Sequence, residues 1–162
     1  MHSHAKHTIH KGHTHHGWNN AFPPKLTIAP GESVEFETLD ASSGQLSRTS
    51  TAEALKKLDL VFVNPVTGPI RIDGAKPGDA LKVTVLSLRP SGWGWTGNRP
   101  GFGLLTDQFP DAHLHHWNYD PGLTPAMYGP GGRVPLRPFP GTIGVAPAAP
   151  GLHSIVPPRN VG

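Results

Sequence analysis

The sequence predicts a mainly β fold, an antiparallel sandwich or barrel-like domain with one short helix and long ordered Pro/Gly-rich loops. Three observations predict it. Apolar and polar residues alternate over 33–39 and again over 80–88, the period-2 signature of a half-buried strand. Pro30-Gly31 and Pro77-Gly78 each lead through an acid into such a run, and Pro-Gly reverses a chain cheaply because Pro presets φ and Gly accepts φ > 0. Helical spacing, by contrast, occurs only once.

Taken in order, residues 1–12 form a His-rich arm, and a β domain spans 13–89. Its first strand reads at 25–29 and ends at Pro30-Gly31; the second follows at 33–39, and the small polar residues 40–45 suit a loop. Ser50 with Glu53 three residues on fits a capping box, and Ala52, Ala54, Leu55 and Leu58 continue at helical spacing for two to three turns. Leu60-Val61-Phe62-Val63 reads as a buried strand stopped by Asn64-Pro65, and Ile70-Arg71-Ile72 as another. The run at 80–88 is the strongest alternating strand in the chain. After Pro90 periodicity fades: residues 90–162 hold 26 of the 39 Pro and Gly. Disordered segments lack aromatics, whereas this one carries Trp93, Trp95, Phe102, Trp117 and others, so ordered irregular structure is expected.

Composition removes several classes of function. There is no Cys, which excludes disulfides, thiolate nucleophiles and zinc–thiolate centres. The net charge of +3 comes from Lys6, Lys11 and Lys25, which precede the first acid, Glu32; the rest of the chain is neutral. A nucleic-acid binder would carry a basic stripe across its folded part, so no nucleic-acid partner is expected. No apolar run approaches the roughly 18 residues of a membrane span, and the His-rich start lacks a signal peptide's apolar middle. A soluble, cytoplasmic chain with no membrane partner is expected.

Chemistry could lie in three places. Seven His fall within residues 1–16, and neutral imidazole is the commonest metal ligand. His2 to His10 read as a solvated tail that binds metal incidentally, whereas His15 and His16, just before Gly17-Trp18 and the first strand, can be held by a packed fold. His113 and His115 would share one face of an extended segment, without a third ligand at clear spacing. Asp40 follows a strand and faces a Ser-Ser-Gly loop, a position where a scaffold can fix a carboxylate and leave it accessible. Ser42 and Ser43 form no Gly-x-Ser-x-Gly elbow, and no phosphate loop or dinucleotide fingerprint is present. Local motifs leave the function open.

The order of segments says more. His15-His16-Gly17-Trp18-Asn19-Asn20, Pro23-Pro24, residues 28–37 and Asp40-Ala41-Ser42-Ser43-Gly44-Gln45 resemble the opening of the acetamidase/formamidase family. So do Asn64-Pro65-Val66-Thr67-Gly68-Pro69-Ile70, residues 73–81, 100–105 and 138–147. The resemblance implies hydrolysis of short-chain amides to carboxylate and ammonia in a β-rich fold with a divalent metal, zinc first, with calcium or another ion as the alternative. A metal can polarise an amide carbonyl and lower the pKa of bound water towards ~7, which suits a chain without Cys or a serine elbow. Under this implication Asp40 is the catalytic carboxylate and a metal ligand, with His15 and His16 as further ligands and His113 and His115 behind them.

Family enzymes are roughly twice as long, and their second half opens with a Gly-Gly-Asn motif followed by Gly-Asp-x-His. The expectation is therefore an N-terminal part or small subunit, inactive as an isolated chain. Its partners would be a small amide and a second chain or C-terminal half that completes residues 90–162, in a homo- or hetero-oligomer. A non-catalytic His-rich metal-binding β domain and an interaction module are the alternatives.

Overall fold

Among the described residues strands outnumber the one short α-helix, as the mainly β reading predicts. In the computed structural model, which describes residues 5–122, 126–129 and 131–155, ten strands pair two by two into five small sheets. The chain divides into two compact units, Met1–Gly44 with Leu60–Val83 and Thr142–Gly162, and Gln45–Asp59 with Thr84–Gly141.

Three of the sheets lie in the first unit. Strand β1 (His7–Ile9) pairs in parallel with β4 (Val34–Phe36), β2 (Thr14–His15) antiparallel with β5 (Val66–Thr67), and β3 (Leu26–Ile28) in parallel with β6 (Ile70–Ile72). Two of these pairings are thus parallel, where turn signals alone suggested antiparallel neighbours. Parallel partners need a long crossover, and 24 residues separate β1 from β4, so local turn signals are silent about them. Ile9, Trp18, Ile28 and Ile155 are the buried apolar residues of this unit. Trp18 exchanges two backbone bonds of 2.9 Å with His153, and Asn20 donates to the carbonyls of Pro147 and Ala148 at 3.1 and 3.0 Å, so the returning chain is strapped to the N-terminal segment. Gly17 permits this close approach: a Cβ there would sit 2.5 Å from Leu152 Cδ1.

The His-rich start is not a solvated tail over its described residues; His2 and His4 lie outside them. Ile9 is buried in β1, and the polar neighbours pair with acids around β4: Lys6 with Glu32, His7 Nε2 with Glu32 at 3.4 Å, and His10 Nδ1 with Glu37 at 3.1 Å. The Lys6 ammonium, helped by the Ala29 N–H, holds the Glu32 carboxyl at about 2 instead of 4.5, and His10 lowers that of Glu37. A depressed carboxylate stabilises the fold above its ordinary value and stops doing so as pH falls through the folded one. The arm should therefore loosen between pH 4.5 and about 2, read as faster amide exchange at His7–Ile9, and Glu32→Gln should weaken that acid dependence.

In the second unit β7 (Trp93–Asn98) and β8 (His113–Asn118) form the longest ribbon, antiparallel over six residues each, and β9 (Ala126–Gly129) pairs antiparallel with β10 (Gly132–Pro135). This corrects the expectation of irregular structure after Pro90. Gly alternating with Trp conceals a strand from hydrophobic periodicity, because Gly registers as neither apolar nor polar. The helix α1 (Ala52–Lys56) packs on this ribbon and buries Leu55. Gly97 makes room for it, since a Cβ there would meet Leu55 Cδ1 at 2.8 Å. The helix is shorter than its spacing predicts and has no capping box: Thr51 is the N-cap without a side-chain bond, and Ser50 Oγ instead accepts from the Ser47 N–H at 2.9 Å.

Two expected strands are not formed. Leu60–Phe62 is a 3-10 turn with side chains 47%, 71% and 49% exposed, not a buried strand; a short apolar run does not itself reveal its periodicity. Residues 80–88 belong to no strand or bridge and are exposed throughout.

Candidate functional site

The loop after β4 is built around Asp40. One carboxylate oxygen accepts from the Ser42 N–H at 3.0 Å and the Ser42 hydroxyl at 2.6 Å; the other accepts from the Gly44 N–H at 2.9 Å. Ser42 is fully buried, and the Asn64 N–H donates to the Ala41 carbonyl at 2.8 Å, which ties this loop to residues 60–65. Asp40 thus holds a tight turn in which Ser43 takes a φ of 58°, a left-handed conformation uncommon for a residue with a Cβ.

That turn carries Ser43 to His16. Ser43 Oγ lies 2.9 Å from His16 Nε2, and the imidazole rests edge-on against Phe62 at 5.4 Å between centroids. Asp40 and His16 are therefore joined through adjacent serines, Ser42 bonding the carboxylate and Ser43 the imidazole. Sequence reasoning missed both roles, because the serines sit in no elbow motif; the one signal was Asp followed two residues on by Ser, which is common in turns.

His15 faces elsewhere. Its Nδ1 is 2.7 Å from the Gly17 carbonyl, and a carbonyl can only accept, so the proton sits on Nδ1 and Nε2 keeps its lone pair. Trp18 and Phe22 flank the ring at 6.1 and 5.3 Å, and burial lowers its pKa below the ordinary value, which keeps it neutral. His15 lines a cleft of about 190 Å³ with Thr14, Phe22, Pro23, Lys25, Gly68 and Pro69. An imidazole acceptor with Thr14 and Lys25, set beside Phe22 and two prolines, suits a small polar molecule that both donates and accepts hydrogen bonds.

His113 and His115 belong to the second unit, on β8. His113 is exposed, whereas the His115 ring packs edge-on against Trp117 at 4.5 Å with its Nε2 buried and unbonded. The neighbouring His116 is clamped: Nε2 lies 2.8 Å from the Ser50 carbonyl, and Nδ1 accepts from Trp93 Nε1 at 3.3 Å. A second cleft of about 390 Å³ in this unit is lined by Lys56, Arg99, Pro100, Pro110, Asp111 and Ala112, none of which the sequence offered as a catalytic or metal-binding residue.

Among the described residues no three of His, Asp or Glu gather as ligands for one ion. Asp40 directs both oxygens to its own loop, and His15 and His16 are turned to different partners. These residues by themselves do not fit the divalent metal that the family resemblance implies.

The Acetamidase/Formamidase family matches residues 2–156. The chain belongs to this family. It is 31% identical to the acetamidase of Mycolicibacterium smegmatis, covering 83% of this chain and 36% of that one, and 32% identical to the formamidase of Methylophilus methylotrophus, covering 85% and 35%. Among solved structures it resembles the acetamidase of Bacillus halodurans, with a TM-score of 0.80 and 27% identity over 90% of this chain and 48% of that one. A predicted acetamidase/formamidase of Thermoanaerobacter tengcongensis gives a TM-score of 0.81 and 28% identity over 94% and 49%. The chain therefore spans about a third of the length of these curated family members and about half of the solved ones. No described helix is long and apolar enough to cross a membrane.

Proposed function

We propose that the chain is the N-terminal part or small subunit of a metal-dependent amidohydrolase that cleaves short amides of the formamide or acetamide type to carboxylate and ammonia. Family membership over residues 2–156 supports the reaction class. The observation that carries the reading to this chain's own residues is His15, a neutral imidazole of settled tautomer at the wall of a cleft sized for a few heavy atoms. Its Nε2 can accept a proton from a bound amide or water, while Lys25 draws the polar end of the ligand. Asp40 fixes the turn that brings Ser43 against His16, and so keeps both parts of the loop in place.

The divalent ion implied by the resemblance would draw ligands from the second polypeptide or C-terminal half that completes the family fold, because the described residues of this chain do not assemble a set. Purified and supplied with zinc, the 162-residue chain should release no ammonia from formamide or acetamide above background. Produced together with the completing half, it should release ammonia steadily. Turnover by the chain alone would overturn the two-part reading, and a completed protein without turnover would overturn amide hydrolysis. In the completed protein His15→Ala should lower kcat by about a hundredfold or more, the ordinary worth of a positioned proton acceptor.

A further inference from the structure

Residues 80–88 are nine consecutive exposed positions, and none belongs to a strand or bridge. Yet Leu81, Val83, Val85, Leu86 and Leu88 are 51%, 56%, 50%, 71% and 41% exposed. Single exposed apolar side chains are ordinary on a protein surface. Five within nine residues are not, and three of them, Leu81, Val83 and Val85, keep the alternation of a strand. In an extended chain Leu81, Val83 and Val85 share one face, with Lys82 and Thr84 on the other.

The sequence holds an internal comparison. Pro30-Gly31-Glu32 leads into β4, whose backbone is paired by β1. Pro77-Gly78-Asp79 leads into 80–88 with the same order of turn, acid and alternation, and no described strand pairs with it. Both copies carry a strand sequence, and among the described residues only one has a partner strand. Unpaired backbone donors and acceptors beside apolar side chains form a template for an added strand, whose main-chain bonds supply affinity while alternate side chains set the register.

We infer that residues 80–88 are the edge on which the part of the family fold outside this chain adds a β-strand presenting Val-, Ile- or Leu-type side chains at alternate positions. The inference rests on the reading that a second half completes the chain. It commits to that occupant because the solved relatives run to about twice the matched length, the chain covering 48% and 49% of them. A second copy of this chain fits less well. Self-pairing would set Lys82 of each copy within the same short ladder, and a charge on an edge strand opposes that.

The test is co-production of the 162-residue chain with a tagged second half of the Bacillus halodurans acetamidase, the portion beyond its match to this chain. The chain should copurify with it, and the amides of 80–88, fast-exchanging in the chain alone, should slow by about tenfold or more in the complex. Val83→Lys with Val85→Lys should abolish copurification, whereas Thr27→Lys, an exposed position on β3, should leave it intact. Failure to copurify, unprotected amides in the complex, equal loss in both variants, or protection in a homodimer of the chain would each overturn the inference. Ammonia release plays no part in these readouts, so they fail or succeed separately from the amidase reading.

Discussion

Asp40→Ala should cost about 2–4 kcal/mol of folding stability, seen as a lower urea midpoint at unchanged slope. The side chain accepts three hydrogen bonds, at 2.6, 2.9 and 3.0 Å, and the carboxylate is the charged partner in each. Its removal takes the 2.6 Å charged acceptor away from the Ser42 hydroxyl at a position fully shielded from water, where a lost hydrogen bond to a charged group costs most. Asp40→Asn should fall between, because an amide offers one acceptor oxygen and turns an NH₂ toward an N–H that wants an acceptor. Ser42→Ala removes the 2.6 Å bond while the Ser42 N–H keeps its bond to the carboxylate, and should cost about 1 kcal/mol. An Asp40→Ala chain as stable as the parent would show that the loop does not depend on the carboxylate. In the completed protein the same series separates two roles: a purely structural Asp40 predicts that residual activity follows stability across the three variants.

Ile9→Ala is the second large effect, about 3 kcal/mol, within the range for truncating a fully buried Ile. Ile9 is 3% exposed, sits in β1, and its carbonyl accepts from the Glu37 N–H at 2.9 Å, so the cavity opens where the arm joins β4. Thr8, on the opposite, exposed face of the same strand, should tolerate Ala within about 0.5 kcal/mol. Thermal unfolding of the two variants checks the contrast. Deleting residues 1–12 should likewise lower stability, an outcome that a solvated metal-binding tail would not produce.

The elements legible in the residues were those whose signal is local. β3 and β6 are short apolar-rich runs bounded by turn residues, β4 follows a Pro-Gly turn, and α1 has the one helical spacing in the chain. β1 was hidden because Ile9 is a lone apolar residue among His and Lys, and its burial depends on a strand 24 residues away. β7 was hidden behind alternating Gly and Trp, and β8 behind three His, two of which, His115 and His116, pack their rings on tryptophans. Periodicity reports which face of a segment is apolar and does not report whether a partner is present, which is why 80–88 reads as a strand and stands unpaired.

The site divides in the same way. Residue order alone placed His15, His16 and Asp40 in the segments that mark the family, and family membership over residues 2–156 rests on that order. Tertiary structure decided what each side chain faces: His15 the Gly17 carbonyl and a small cleft, His16 the Ser43 hydroxyl, and Asp40 its own loop. Chain order and composition belong to the sequence by itself, and with them came the mainly β class, the single helix and the family. Ligand convergence, strand partners and the burial of Ile9 depend on contacts between residues distant along the chain, and only the folded arrangement of backbone and side chains sets those distances.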